Sequence, residues 1–428
     1  MKVFALFDGT RFYASSCNIY KPENRNRPTL VSAGQGISIA SNRACSEVGI
    51  SKFKPIWEQD ALLRLHDGKI YRANFQTFGA ISDRFMTCIE AQLNGSRIMR
   101  YSVDELFVDF TRLASINVNL DSLAQQVRKI TYKETGVATG CGVSTTLTLT
   151  KAASWAAKNL DGYRGQCVML DTDTVDLVLS QMPVGNLWNV GAAYRKHLEN
   201  DGIRTAMQLK TCDPKAFQKK YSINIANVIH ELNGVSVLNF DEVRVKKKQV
   251  WSTSSYRDRL KSLTDLSAEV SHHTAIVLKK LRLQRSEAMN LCLFLQSSAY
   301  DKSNPFNKST SINFEFGLTD TSYALKAIRH ALTKITPQCL LSQPIYKLGV
   351  GSTLLIDADV KQFDMFDDFD NQTKLNSTID DLNLRFGNGT VKFGSEHKNY
   401  QEQAGHVEVC DLDNYYSDVN QLLEVKCM

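Results

Sequence analysis

Three acids carry the first chemical suggestion in this chain. Asp8 closes an apolar run at residues 3–7, and the adjacent Asp104 and Glu105 follow about ninety residues later, between two further β-prone runs. Carboxylates brought face to face at strand ends repel one another unless a cation lies between them. Magnesium is the expected cation, because it prefers hard oxygen ligands and keeps waters and substrate phosphates in its shell. Two such ions about 3.5–4 Å apart can activate a hydroxyl and stabilise the leaving group of an in-line phosphoryl transfer. The pattern therefore points to nucleotidyl transfer. It equally describes strand-end acids that merely face solvent, and spacing alone leaves both readings open.

The elements that would position these acids follow from apolar periodicity. Residues 3–7 and a second run, 97–101 continuing as 106–110, read as two buried strands, with helical patterns at 40–48 and 81–93 and a loop at 22–28 between them. A helix at 120–131, a strand at 137–143, a helix at 148–158 and a strand at 167–170 come next, so an α/β or α+β sheet domain is expected. Residues 183–238 look helical throughout. Leu187-Trp188-Asn189-Val190-Gly191, Leu198 and Gly202-Ile203 have the form of a helix-hairpin-helix, in which a glycine turn aims backbone N–H groups at a phosphate. A plain helical hairpin with a glycine turn fits the same residues.

Residues 239–249 turn polar and then basic, as suits a linker, with Lys246, Lys247 and Lys248 in succession. Beyond them a helix at 266–285, strands at 289–295 and 310–316, a helix at 322–334 and a strand at 345–350 form a separate α+β unit with a basic side. Those lysines and arginines either meet nucleic acid or simply solvate a helix face. From 355 the chain is polar and acidic, and flexibility is expected for part of its length.

Composition narrows the class. The 428 residues hold 51 Lys and Arg against 45 Asp and Glu, a net charge of +6, with 22% charged and 43% hydrophobic residues. These values exclude a largely disordered or collagenous chain. No apolar run approaches the roughly 18 residues of a membrane span, and Asp8 breaks the N-terminal apolar run where a signal peptide would need its core. A cytoplasmic protein without a membrane partner is expected. Ten cysteines without a CxxC pair argue against a zinc site or a disulfide scaffold.

Asp8-Gly9-Thr10-Arg11-Phe12-Tyr13-Ala14-Ser15, followed by Tyr101-Ser102-Val103-Asp104-Glu105, resembles the Y-family of translesion DNA polymerases, and within it the UmuC type of bacterial DNA polymerase V. The likeness continues through Gly140 to Lys158, the hairpin, the basic unit and the tail. It implies an α+β multidomain right hand, with palm at 1–17 and 71–172, small fingers at 18–70, a helical thumb at 173–238, a basic linker at 239–249, an α+β little finger at 250–354 and a C-terminal tail at 355–428. The implied activity is error-prone, template-directed DNA synthesis across lesions in the SOS DNA-damage response.

The same resemblance assigns residues. Asp8, Asp104, Glu105 and the carbonyl of Gly9 would bind two Mg2+ ions, Tyr13 would be the steric gate that excludes a ribose 2′-hydroxyl with Phe12 beside it, and Lys158 would meet the incoming triphosphate. Val190, Gly191, Gly202, Lys246, Lys247 and Lys248 would contact primer-template DNA. Gln362-Phe363-Asp364-Met365-Phe366 resembles the sliding-clamp peptide of bacterial polymerases, with Gln362 hydrogen-bonded in a cleft and Met365 and Phe366 filling an apolar pocket. Arg385-Phe386-Gly387 and Gly389-Thr390 resemble the end of the UmuC family, whose tail also helps bind the processed UmuD dimer and RecA.

Several positions depart from the pattern. Ser46 stands where a lysine or arginine usually faces the triphosphate, Leu147 where a lysine is common, and Ser254 where the little finger often has an arginine; Gly34-Gln35-Gly36 replaces a longer turn. Arg43 shares a helix face with Ser46 at i and i+3 and is expected to supply the missing charge. A catalytically weak relative that acts as a DNA-, clamp- or UmuD-binding regulator is the alternative. A nucleotidyl cyclase would also need the metals, yet has no use for gate aromatics, the hairpin or the clamp peptide.

Overall fold

A computed structural model describes residues 2–33, 36–240, 246–298, 300–301, 305–359, 373–387, 389–396 and 410–412. Two compact units result, divided near residue 245, the first also taking in the C-terminal residues from 406.

Strand β1 (Phe4–Gly9) is apolar on both faces, which suits only the middle of a covered sheet. Phe4 and Leu6 pack with Phe107, Leu147 and Phe240, while Val3, Ala5 and Phe7 pack with Phe78, Ile81 and Phe85 on the opposite side. The other strands of the first unit are β2 (Thr29–Ser32), β3 (Ser38–Ser41), β4 (Lys69–Arg72), β5 (Ile98–Arg100), β6 (Glu105–Asp109), β7 (Thr139–Ser144) and β8 (Gln166–Met169). The main sheet runs β5-β6-β1-β7-β8, and a small separate sheet runs β3-β2-β4. β1 is antiparallel to both of its neighbours.

The helices of this unit are α1 (Phe12–Cys17), α2 (Arg43–Glu47), α3 (Asp60–Leu65), α4 (Phe75–Gln92), α5 (Thr111–Ser115), α6 (Leu120–Thr135), α7 (Leu147–Asn159), α8 (Thr172–Gln181), α9 (Ala192–Asn200), α10 (Ala206–Lys210), α11 (Pro214–Lys220) and α12 (Ile223–Leu232). Asn74, Asn119 and Thr146 begin α4, α6 and α7 by accepting backbone N–H groups with their side chains. α7 lies unusually close to β7, because a Cβ on Gly142 would run into the backbone of Thr150 and Ser154. Its start is pinned by the fully buried Glu231 of α12. One oxygen of that carboxylate accepts the Thr148 N–H (3.0 Å), and the other accepts those of Val237 (2.8 Å) and Leu238 (3.0 Å). An acid at a helix N-terminus is favourably placed against the helix dipole.

The second unit holds β9 (Val250–Leu260), α13 (Leu263–Leu283), β10 (Ser286–Gln296), β11 (Asn307–Leu318), α14 (Thr321–Ile335), β12 (Ile345–Ser352), β13 (Leu355–Asp357) and α15 (Thr373–Phe386). Its sheet runs β11-β10-β12-β9 with β13 added to β10. Leu266, Val270, Val277 and Leu281 of α13, with Ile328 and Leu332 of α14, share a core with Leu291, Leu293, Leu295 and Val350 of the sheet.

Two sequence expectations need correction here, and one strand escaped the sequence pattern. The helix expected at 40–48 shrinks to the five residues of α2, because Ser38–Ser41 pairs with β2 and Asn42 caps α2 through the Cys45 N–H. β9 was hidden by its polar side chains, although Val250, Ser252, Tyr256 and Leu260 are buried. The tail expected from 355 begins instead as β13, paired with Ser286–Ala288. α15 is held by Arg282, whose Nε and Nη2 donate to Asp380 (2.7 and 3.1 Å), and by the buried Asn376, which accepts the Thr321 N–H (3.3 Å). Such polar anchors leave no hydrophobic signature in the sequence.

The C-terminal residues 410–412 cover the free edge of β4. The Cys410 N–H donates to the Ile70 carbonyl (2.7 Å), the Arg72 N–H to the Cys410 carbonyl (2.9 Å), and Asn74 Nδ2 to the Leu412 carbonyl (2.8 Å). Leu412, only 5% exposed, joins the core that holds Phe12 and Phe78. Covering an edge strand removes a row of unpaired backbone groups. Leu412→Ala is expected to destabilise the first unit by about 2–3 kcal/mol, read as a lower midpoint of thermal unfolding, whereas Leu412→Met should cost about 1 kcal/mol or less. Equal midpoints for the alanine variant and the parent would show that the segment is not docked.

Candidate active site

The antiparallel register sets Asp8 of β1 directly opposite Glu105 of β6, and the Gly9 N–H donates to the Asp104 carbonyl (2.8 Å). On its other side Asp8 faces Gly140 of β7. Two strand ends and one turn thus gather acids that lie far apart in sequence. Gly9 has little room for a side chain, since a Cβ would lie 3.0 Å from the Phe12 ring and 3.6 Å from Asp104 Cβ. Gly140 serves the site differently: a Cβ there would lie 2.9 Å from Lys158 Cε, so its absence lets Lys158 cross β7 and pair with Asp8.

Lys151, which the sequence reading passed over, completes the arrangement. It lies seven residues before Lys158 and so on the same face of α7. Its Nζ donates to both oxygens of Glu105 (2.8 and 3.1 Å) and sits 4.6 Å from the Tyr101 ring centroid and 5.2 Å from that of Trp188. The signal that could have found it is this seven-residue spacing. Asp104 accepts from Ser102 Oγ (3.1 Å).

Burial pushes the Asp8 carboxyl above its ordinary pKa; Lys158 pulls it back, while the charges of Glu105 and Asp104 push it further up. Burial also raises Asp104, opposed by the Ser102 hydrogen bond, with Glu105 adding repulsion. The three acids therefore feel one another. With Asp8 turned onto Lys158 and Glu105 onto Lys151, no group of three His, Cys, Asp or Glu side chains among the described residues is arranged to hold a metal ion as it stands. The donor chemistry nevertheless suits a hard cation: carboxylate and carbonyl oxygens, partly buried, mutually repelling and now balanced by lysine charge.

Phe12 is buried against Phe85, with ring centroids 6.2 Å apart, and belongs to the core. Tyr13 is half-buried, its ring 4.8 Å from that of Phe78. Its hydroxyl pKa is raised by burial and then by the negative charge of Asp104. A cavity of about 1040 Å³ adjoins this site at Lys158 and is lined also by Thr10, Arg11, Arg43 and Ser46, but not by the three acids or Tyr13. Arg43 is paired with Glu47 (3.0 Å) and its side chain is 88% exposed. Leu147 is fully buried with Phe4, Leu6 and Phe107, and Ser254 pairs with Leu348 within the second sheet.

In the hairpin, Asn189 (φ +67°) takes the left-handed conformation, whereas Gly191 is extended at the start of α9, which no side chain caps. Val190 and Gly202 spend their N–H groups on the Leu187 and Glu199 carbonyls (both 3.1 Å), and Val190 is buried. Of the three residues expected to face a phosphate, Gly191 is the one at the helix start. Lys246 pairs with Asp357 (2.6 Å), and Lys247 and Lys248 are exposed. Gln362, Met365 and Phe366 lie outside the described residues. No described helix is long and apolar enough to cross a membrane.

The fold is that of a Y-family DNA polymerase. A solved Y-family polymerase chimera assembled from Dbh and Dpo4 superposes with a TM-score of 0.65 at 15% identity, over 82% of this chain and 98% of the other. The chain itself belongs to the impB/mucB/samB family: the family model matches residues 7–155 and that of the family's C-terminal domain residues 247–365, together more than half of the sequence. Protein MucB of Salmonella typhimurium is 27% identical over 369 residues, 85% of this chain and 86% of that protein. Protein UmuC of Salmonella typhimurium is 26% identical over 405 residues, 93% and 94% of the two chains. DNA polymerase IV 2 of Bacillus subtilis is 22% identical over 401 residues, 91% and 93% of the two chains.

Proposed function

We propose that this chain is an error-prone, DNA-directed DNA polymerase that performs translesion synthesis in the SOS DNA-damage response. It joins the α-phosphate of a deoxynucleoside triphosphate to a primer 3′-hydroxyl and releases pyrophosphate. The supporting observation is the register that puts Asp8 opposite Glu105, with Asp104 adjacent and Tyr13 close enough to feel its charge. Asp8, Asp104, Glu105 and the Gly9 carbonyl are the residues that would hold two Mg2+ ions. When bound, such ions stabilise charge on phosphate oxygens and lower the pKa of a hydroxyl. Lys158 would exchange Asp8 for the triphosphate, and Tyr13 would exclude a 2′-hydroxyl.

Gly191, Lys247 and Lys248 would meet DNA phosphates, a contact that is independent of sequence and sensitive to salt. The implied partners are the sliding clamp, a processed UmuD-type dimer and RecA. Replacing Met365 and Phe366 with alanine is expected to weaken clamp binding by about 2 kcal/mol or more and to remove clamp-stimulated synthesis, leaving the basal reaction intact. Equal clamp affinity of variant and parent would dismiss the peptide.

Primer extension by the purified protein with Mg2+ and the four deoxynucleotides, with and without activated partner, tests the main reading. A second reading, a weakly catalytic regulator that binds DNA or partners, draws on the lysine pairing of Asp8 and Glu105 and on Ser46. It predicts DNA binding without extension under either condition.

A further inference from the structure

Six cations line the cavity and they are not held alike: Lys129 and Arg164 are exposed and fixed by no side-chain hydrogen bond among the described residues. Lys158 is neutralised by Asp8 and Arg43 by Glu47. Arg128 is turned inward, donating to the Thr139 carbonyl (2.7 Å), Gln166 Oε1 (2.9 Å) and the Arg164 carbonyl (3.1 Å), and so knits α6 to β7 and to the Arg164 loop. Arg11 is held differently, three residues after Asp8 and at the start of α1. Its Nη1 donates to the carbonyls of Ser41 (3.0 Å) and Asn42 (2.9 Å), and its Nη2 donates to Ser46 Oγ (2.9 Å).

All three acceptors are neutral, so the guanidinium is fixed in place while its charge stays uncompensated. A guanidinium has five N–H donors, and three are used here. The remaining two have no acceptor among the described residues. Arg11 also lines the cavity. A preorganised planar fork with spare donors and full charge suits phosphate oxygens better than an arginine already paired with a carboxylate.

We infer that Arg11 binds the triphosphate tail of the nucleotide alongside Lys158, with Ser46 as its prop, an inference that rests on the nucleotidyl-transfer reading. Position 46 then needs no positive charge of its own, because its hydroxyl aims one supplied from position 11. This assignment displaces the expectation that Arg43, on the same helix as Ser46, makes up the deficit.

The test uses the full chain. Binding of inorganic tripolyphosphate with Mg2+ is measured by calorimetry, and the KM and kcat for deoxynucleotide by primer extension. Arg11→Asn suits the left-handed backbone at this position (φ +51°). It should weaken tripolyphosphate binding about tenfold or more, the loss of one charge-assisted contact, and raise KM more than it lowers kcat. Adding Ser46→Arg to that variant should recover part of the loss. If Arg11→Asn fails to fold, Arg11→Lys keeps the charge without the fork and should still bind more weakly than the parent.

Parental affinity in whichever of these variants folds, or a larger loss in Arg43→Ala, overturns the assignment, as does a parent that binds no tripolyphosphate. A parent that binds tripolyphosphate through Arg11 yet extends no primer leaves the assignment standing and removes the polymerase reading instead.

Discussion

Asp104→Ala is expected to abolish primer extension, lowering the rate about a thousandfold or more, while DNA affinity stays within a few-fold of the parent. The rate estimate follows from the several kcal/mol that metal stabilisation of phosphate charge supplies, at about 1.4 kcal/mol per decade. Affinity is expected to survive because it should come mainly from phosphate contacts at Gly191, Lys247 and Lys248, none of which touches Asp104. The fold should tolerate the change, since the backbone link from Gly9 N–H to the Asp104 carbonyl does not involve the side chain. Asp8 would also lose one repelling neighbour, so its pKa, raised in the parent, should fall. Single-turnover extension and fluorescence anisotropy with primer-template DNA check the two halves separately. Extension at the parental rate would remove Asp104 from the catalytic set.

Tyr13→Ala is expected to raise ribonucleotide incorporation relative to deoxyribonucleotide by about 10- to 200-fold, the range over which a pocket discriminates on a small steric difference. The ring packs against Phe12, Phe75 and Phe78, so its position is fixed by the core and not by solvent. Tyr13→Phe, which keeps the ring and loses only the hydroxyl, should discriminate like the parent. If Tyr13→Ala shows unchanged sugar selection and only a lower melting temperature, Tyr13 is a core residue and the gate lies elsewhere.

Much of this chain is legible in its residues alone. The apolar run of residues 3–7, Asp8 at its end and Asp104-Glu105 beside the next apolar run specify two buried strands with acids at their ends. Side chains of buried strands must be apolar on whichever face meets a core, so that pattern survives in the sequence whatever the tertiary detail. The long helices and strands of the second unit are legible for the same reason, whereas β9 and α15, anchored through serines, an asparagine and ion pairs, are not.

Only the tertiary structure decided which charges meet. That Lys158 reaches Asp8 depends on the missing side chain of Gly140 on a neighbouring strand. That Lys151 holds Glu105 depends on α7 settling against β7 at Gly142, and that Arg11 rests on Ser46 depends on the turn after β1 meeting α2. Local sequence records burial and periodicity, because these act within an element. Pairing between distant charges is set by register and by helix-to-strand distance, and a single residue's type leaves both undetermined.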